Sequence, residues 1–505
     1  MLKPVVRLVA FTPKPYDLAV ASARTCYSPK AVLPAEVTEG QRERIGPAVW
    51  AGGHHTTFQH AAFTFAIENV SRQFVWSFLH SHPYYNSDQT SQRYVAMGEA
   101  KAVVPELEGE ASRAYSDAVA SAWEAYARLS AGLKEKNLAL TAAIGKVKGQ
   151  SGKQADLEAE RKAIEMARYV LPVSACTSLV HTVSSLVLMR YARMVEACDC
   201  PTEAKMVVSE MLAEAAKADP ESARFVSVKP LPRGKALPGF ARAAADSGFA
   251  REFDARLEGH LSKLVSFDPG AEAAVADAVR ETLGKTRAGL GDGEAIELAV
   301  NPSKNPALQD TLNVMQHSPV SRALNLVSYR FMKRISHACD SQDQRHRTTP
   351  AARPLLTLTH AEKPDFITPG VIASDAGLKK TYDDAMGALW EAKNRLIELG
   401  VPDEFAVYLL PNATALRFSE TGRIIDLMHK WRMRTCFNAQ EEIFDVSMDE
   451  LKQAKEVHPR LAKYIGPPCY FRQGMKEGGE TPCPEGARWC GIEVWRNFPK
   501  VKRPF

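Results

Sequence analysis

The sequence is short of the features that would take it across a membrane, onto a nucleic acid or into an oxidising compartment. Its longest apolar stretch, Ser174 to Met189, is interrupted by Thr, Ser and His181 and is too short for a membrane span; it reads as a buried helix. The opening segment, MLKPVVRLVAFTPKP, lacks the long apolar centre of a secretion signal, so a cytoplasmic location is expected. Lys and Arg (64) barely outnumber Asp and Glu (59), and no dense basic stripe appears. That balance permits an anionic small molecule and gives no reason to expect nucleic acid. The nine cysteines stand mostly alone in apolar surroundings, as reduced thiols do, and none pairs convincingly with a histidine. A phosphate loop is excluded too: Gly284-Lys285-Thr286 has Val279 where the first glycine must be. Gly289, Gly291 and Gly293 form a polar turn with no strand leading into them. His54, His55, His60, His80 and His82 match no standard zinc spacing.

What is present is an ordinary globular composition, 45% hydrophobic and 24% charged, in a chain of 505 residues. That length suggests two or three domains. The chain also repeats itself. AYSDAVASAWEAYARL sets Tyr115, Trp123, Arg128 and Leu129 at the spacing at which TYDDAMGALWEAKNRL sets Tyr382, Trp390, Arg395 and Leu396. Both have helical periodicity with one apolar stripe. Leu171-Pro172 precedes Leu188-Met189 by the interval that separates Leu410-Pro411 from Leu427-Met428, and Val70-Ser71-Arg72 answers Ile335-Ser336-His337. Three matches in one order indicate tandem duplication. The expected layout is a first copy over 1–215, a linker and helical segment over 216–294, a second copy over 295–450 and a Cys-containing tail over 451–505. VKPLPRGKALPGF reads as linker, and GKVKGQSGKQADLEAERKA, inserted in the first copy, as a surface excursion. The expected fold class is α+β, each domain a central sheet flanked by helices.

The chemistry concentrates between Gly53 and Val95. AAFTFAIENVSR alternates partly like a strand and runs into a polar cluster holding Asp88, Gln89, Ser91, Gln92, Arg93 and Tyr94. A guanidinium two residues from a hydroxyl can grip a phosphate through a charged fork and an extra donor. The wording GHxTxxxHxxFTFAIExVSR followed by SxRY resembles the flavin-dependent thymidylate synthases. The likeness continues through YVLP, Thr182-Val183 and Leu188-Met189, and in the second copy through ISHACDSQDQRHR, LLP, LMHKWRMR and AQEEI. It covers most of the first copy and part of the second.

The departures from that family are complementary. Its Arg-His-Arg motif is replaced by His80-Ser81-His82 or Ser81-His82-Pro83 in the first copy but stands as Arg345-His346-Arg347, with Gln342, in the second. The downstream Ser and Arg are kept as Ser91 and Arg93 in the first copy and fall on Leu355 and Thr357 in the second. The arginine after the Leu-Met pair is Arg434 in the second copy and Val195 in the first. The arginine before the Leu-Pro pair is Arg168 in the first copy, read as a surface ion-pair residue, and Val407 in the second.

The resemblance implies transfer of a one-carbon unit from methylenetetrahydrofolate to dUMP or a related pyrimidine nucleotide, with FAD as cofactor and NADPH as reductant. The protein's part is orientation and charge. It assigns catalysis to Arg345 and Arg434, and substrate binding to Gln89, Ser91, Arg93, Gln342, Arg345 and Arg434. Flavin binding falls to His54, Thr56, Gln59, Asp88, Arg345, His346, Arg347 and Asn438, although Gln59 stands where Glu is common and Asn438 where His is. Arg423 and Ile425 replace the usual Asn and Arg. A degenerate copy that binds flavin or nucleotide without turnover is the alternative. Because the family builds each pocket across subunits of a tetramer, a homodimer mimicking that tetramer is expected. Outside the resemblance, Cys469, Cys483 and Cys490 lie in a tail poor in apolar residues; a zinc-stapled loop is the reading, with Cys436 or a histidine as fourth ligand.

Overall fold

The computed structural model describes residues 3–197, 200–223, 246, 248–472 and 483–504. The linker segment 228–240 lies outside them. Two four-stranded antiparallel sheets share one topology. In the first, β1 (Val5–Phe11), β2 (Ala62–Ser71), β4 (Cys176–Ser184) and β3 (Asn86–Gln89) lie in the order β1-β2-β4-β3. In the second, β5 (Ser262–Ser266), β6 (Ser328–Ser336), β8 (Ala415–Arg423) and β7 (Ala351–Ala352) lie in the order β5-β6-β8-β7. Helices flank both sheets, so the chain is α+β in two related halves. The edge strand β5 falls inside 216–294, so the second sheet begins at Ser262 and not at 295.

The central strands follow from alternation. Phe63, Phe65 and Ile67 point to the buried face of β2, as Tyr329, Phe331 and Ile335 do in β6. Ser174–Met189 divides into β4 and the start of the helix Ser185–Ala197 instead of forming one helix. Within it Leu179, His181 and Val183 alternate inward with period two, and a continuous apolar run conceals that period. The insertion in the first copy is helical as well. The helix Gly109–Val147 turns at Lys148–Gln150 into the helix Gly152–Ala167, which buries Ala155, Ala159 and Ala163. An alanine stripe at four-residue intervals among charges is weak by composition, yet Ser151 and Gln154 form a capping box that marks the helix start.

The copies join about a pseudo-twofold axis at their Leu-Pro motifs. The Val173 amide donates to the Leu410 carbonyl and the Asn412 amide to the Leu171 carbonyl, each at 2.8 Å, and Pro172 pairs with Pro411. Two mirrored triads flank that crossing. Glu203 accepts from the Ser71 amide at 2.7 Å, from its hydroxyl at 2.6 Å, and from Tyr408 of the other copy. Glu442 accepts from the Ser336 amide at 2.6 Å, from the Ser336 hydroxyl and from Tyr169 of the other copy. Each serine also caps a helix, accepting from the Phe74 and Cys339 amides respectively. One hydrophobic core runs through both copies, with Tyr115 and Trp123 in the same cluster as Tyr382 and Trp390.

Candidate functional site

Each capped helix ends at the interface between the copies. In the first copy the helix Arg72–Leu79 begins with the buried Arg72, whose guanidinium donates to the Thr90 carbonyl at 2.6 Å and the Gln89 side chain at 3.3 Å. Those two bonds pin the turn that carries Gln89, Ser91 and Arg93. The Ser91 hydroxyl accepts from the Arg93 amide at 3.2 Å. Arg93 forms an ion pair with the buried Glu165 and donates to the Asn438 carbonyl of the second copy at 2.7 Å.

In the second copy the helix His337–Asp343 carries Gln342 and is followed by Arg345, which is exposed. Arg434, at the end of the helix Ile424–Arg434, donates to His346 Nε2 and to the Gln342 carbonyl, both at 3.0 Å. Burial and the neighbouring Arg434 hold His346 well below the usual imidazole range, so it stays neutral and can accept that bond. Arg347 reaches across the interface. It donates to the Pro83 carbonyl at 3.2 Å and to Asn86 at 3.0 Å, and lies over the Tyr85 ring.

These arginines share one field. Burial, then the positive charge of Arg168 and Arg345, pulls the Arg72 guanidinium down to about 9. Burial pulls Arg434 to about 10, with Arg93 and Arg345 adding to the shift. Arg72 and Arg434 both remain charged at neutral pH, a concentration of positive charge suited to a dianion. Glu165 is the counter-charge: burial opposes its ionisation, but Arg93, Lys162 and Arg503 hold it down to about 2. Arg503, from the tail, comes within 4.0 Å of its second oxygen. Arg168 is no surface residue. It is 6% exposed, because its chain leaves the helix Gly152–Ala167 into the Leu-Pro crossing, and one of its amino groups has no partner among the described residues. The Gln342 side-chain oxygen and the Gln92 amide nitrogen are likewise buried without a partner.

Not every residue assigned by resemblance gathers here. His54, Thr56 and Gln59 are exposed at the short turn His55–Gln59 of the first copy, and no hydrogen bond among the described residues joins them to the second. Asp88 is exposed on the edge strand β3. The Asn438 side chain donates to the Arg488 carbonyl at 2.7 Å, so the tail occupies it. Sequence reading missed Arg72 and Glu165. The buried serine cap before Arg72, and the three-residue interval from Glu165 to Arg168, were the available signals.

The pseudo-symmetric position is different. A cleft is lined there by Gln73, Trp76, Ser77, His80, Leu355 and Thr357, among others, and no arginine among the described residues lines it. Burial, with Arg353 nearby, holds His80 at about 3, so the imidazole supplies no positive charge.

Two tandem halves with one topology, joined at matching motifs, define a duplicated α+β protein with arginines of both halves at their interface. The model of the thymidylate synthase complementing protein family matches residues 7–221 and 263–460, and the chain belongs to that family. It is 28% identical over 225 residues to a flavin-dependent thymidylate synthase of Clostridium tetani, covering 44% of this chain and 85% of that protein. It is 30% identical over 243 residues to one of Geobacter sulfurreducens, covering 47% of this chain and 97% of that protein. Among solved structures it is similar to a UMP/dUMP methylase, PolB, from Streptomyces cacaoi bound with 5-Br dUMP. The identity is 20%, the coverage 44% of this chain and 94% of that one, and the TM-score 0.32. No helix among the described residues is long and apolar enough to cross a membrane.

Proposed function

We propose that the chain is a flavin-dependent thymidylate synthase-type methyltransferase with one composite nucleotide site, built from unlike copies. The carrying observation is the asymmetry of the two interface positions: Arg72, Arg93, Arg168, Arg345 and Arg434 surround one, and Leu355, Thr357 and a neutral His80 face the other. A dianionic phosphate needs several charge-assisted donors, which only the first position has. On this reading Arg93, Arg345 and Arg434 hold the phosphate of dUMP or a related pyrimidine nucleotide. Gln89, Ser91 and Gln342 orient it, and Arg168 adds the open donor noted above. Glu165 keeps Arg93 ordered in the absence of substrate and shares it with the phosphate afterwards.

FAD, when bound, supplies hydride and carbon carriage, with methylenetetrahydrofolate as carbon donor and NADPH as reductant. His54, Thr56 and Gln59 fit a flavin only with a second chain, because they are exposed and unconnected to Arg345–Arg347 within one; this supports a homodimer. A non-catalytic flavin- or nucleotide-binding role is the second reading, favoured by the ion pair that Arg93 already makes with Glu165.

The visible spectrum of the purified protein, followed through a dUMP titration, tests the proposal. Flavin absorbance perturbed by one dUMP per chain is expected, with tritium release from 5-tritiated dUMP on adding the co-substrates. A colourless protein that binds no added FAD would sink it. Binding without tritium release would leave the second reading.

A further inference from the structure

Four cysteines distant in sequence meet at one place. Cys436 follows the helix Ile424–Arg434, Cys469 lies in the short helix Pro468–Phe471, and Cys483 and Cys490 belong to the tail. All four line a single small cavity, walled also by Phe437, Pro467, Trp489 and Val494. Their sulfurs are close enough to interact: Cys469 feels Cys436, Cys483 and Cys490, and Cys436 feels Cys490 and Cys483.

Cys469 is buried and Cys436, Cys483 and Cys490 are half-buried, gathered among apolar side chains. Burial raises Cys436 and Cys469 to about 12 and raises Cys483 and Cys490 as well. Lys148 adds positive charge near Cys483 and Cys490, and Arg472 near Cys483. Cations nearby suit a tetrathiolate site, because one Zn²⁺ on four thiolates keeps a net charge of minus two.

We infer that Cys436, Cys469, Cys483 and Cys490 bind one zinc ion tetrahedrally and so staple the C-terminal tail to the loop that follows the helix Ile424–Arg434. No three His, Cys, Asp or Glu side chains among the described residues are already arranged as a metal-holding group. Closing the set therefore takes rotation of the thiols into the cavity they line. Zinc displaces the four thiol protons to water, so binding strengthens as pH rises. The ion lies two residues from Asn438, whose carbonyl holds Arg93 and whose side chain holds the tail at Arg488. The staple thereby positions the nucleotide site without touching a ligand in it.

Elemental analysis of the full-length protein, prepared reduced and without chelator, should find about one zinc per chain. Cys469→Ser and Cys490→Ser should each fall below about a tenth of that. Cobalt exchanged into the wild-type protein should show intense thiolate-to-metal charge transfer with tetrahedral d–d bands, a result that needs no variant to fold. Zinc below about a tenth of an equivalent together with a featureless cobalt titration would overturn the site. Disulfides among these four cysteines in freshly reduced protein, or iron in place of zinc, would overturn it equally.

Discussion

In the second copy Lys333, Asp343, Glu420, Lys430 and Glu450 are packed together, each at most 1% exposed. Lys333 pairs with Asp343 and Glu450 at 2.8 Å and with Glu420, while Lys430 pairs with Asp343 at 2.7 Å and Glu420 at 2.6 Å. Counted from the matched serine caps, Leu-Met pairs and strand registers, the first copy has Ile67, Phe78, His181, Tyr191 and Met211 at those five places. One β-bulge separates the registers, at Asn69 with φ 58°. Where one copy is held by charge, the other is held by an aromatic cluster in which Tyr191 hydrogen-bonds His82 at 2.8 Å and His181 at 3.1 Å. The same backbone therefore tolerates either interior, provided the exchange is complete. A buried charge network is stable only when every member is present, and an apolar replacement of matching volume does as well or better.

The most severe way to break that comparison is to remove one charge. Lys333→Met should leave three buried carboxylates facing one lysine and cost about 3–5 kcal/mol in urea unfolding. Replacing all five residues by their first-copy counterparts should restore folding. A neutral Lys333→Met would refute the account. The two nucleotide-site positions invite a similar contrast. Arg93→Ala and Arg345→Ala should each weaken dUMP binding by about 2–5 kcal/mol, and Arg168→Ala should also weaken it markedly, given its burial. Leu355→Ser or Thr357→Ala, at the other position, should leave affinity unchanged. Isothermal titration decides, and equal losses at both positions would dismiss the composite site.

The imidazoles sharpen the comparison through pH. Burial holds His181 at about 3 and His82 at about 4, below the unfolded value near 6.5. The unfolded chain takes up those protons first, so the folded state loses stability as pH falls below about 6.5, down to the folded values. For His181 the loss at pH 5 is about 2 kcal/mol, and His181→Phe should flatten stability over that window. Asp343, held well below the usual range by Lys333 and Lys430 against its burial, contributes stability that persists until pH drops through the ordinary aspartate value near 3.9. The smallest effect belongs to the exposed pair that Arg395 makes with Glu110 across the long helices, at 2.7 Å. Glu110→Ala should cost under about 1 kcal/mol, within a few degrees of the wild-type melting temperature.

Local patterns in this sequence carried much of the architecture. Matched helices around Trp123 and Trp390, matched Leu-Pro and Leu-Met pairs, and the serines that cap two helices identify a duplicated chain. All are short-range signals, set by periodicity and capping. The complementary loss of arginines pointed to unlike copies meeting, since the residues kept by one are those missing from the other. Tertiary structure alone decided the rest. That Glu165 would claim Arg93, that Arg168 would be buried, and that the tail would occupy Asn438 depend on approaches between residues far apart in sequence. No local pattern encodes such approaches. The lysine at an inward position of β6 shows the same limit most sharply: alternation says only that residue 333 faces the core, and it takes Asp343, Glu420 and Glu450 arriving from three other elements to make a buried charge stable there.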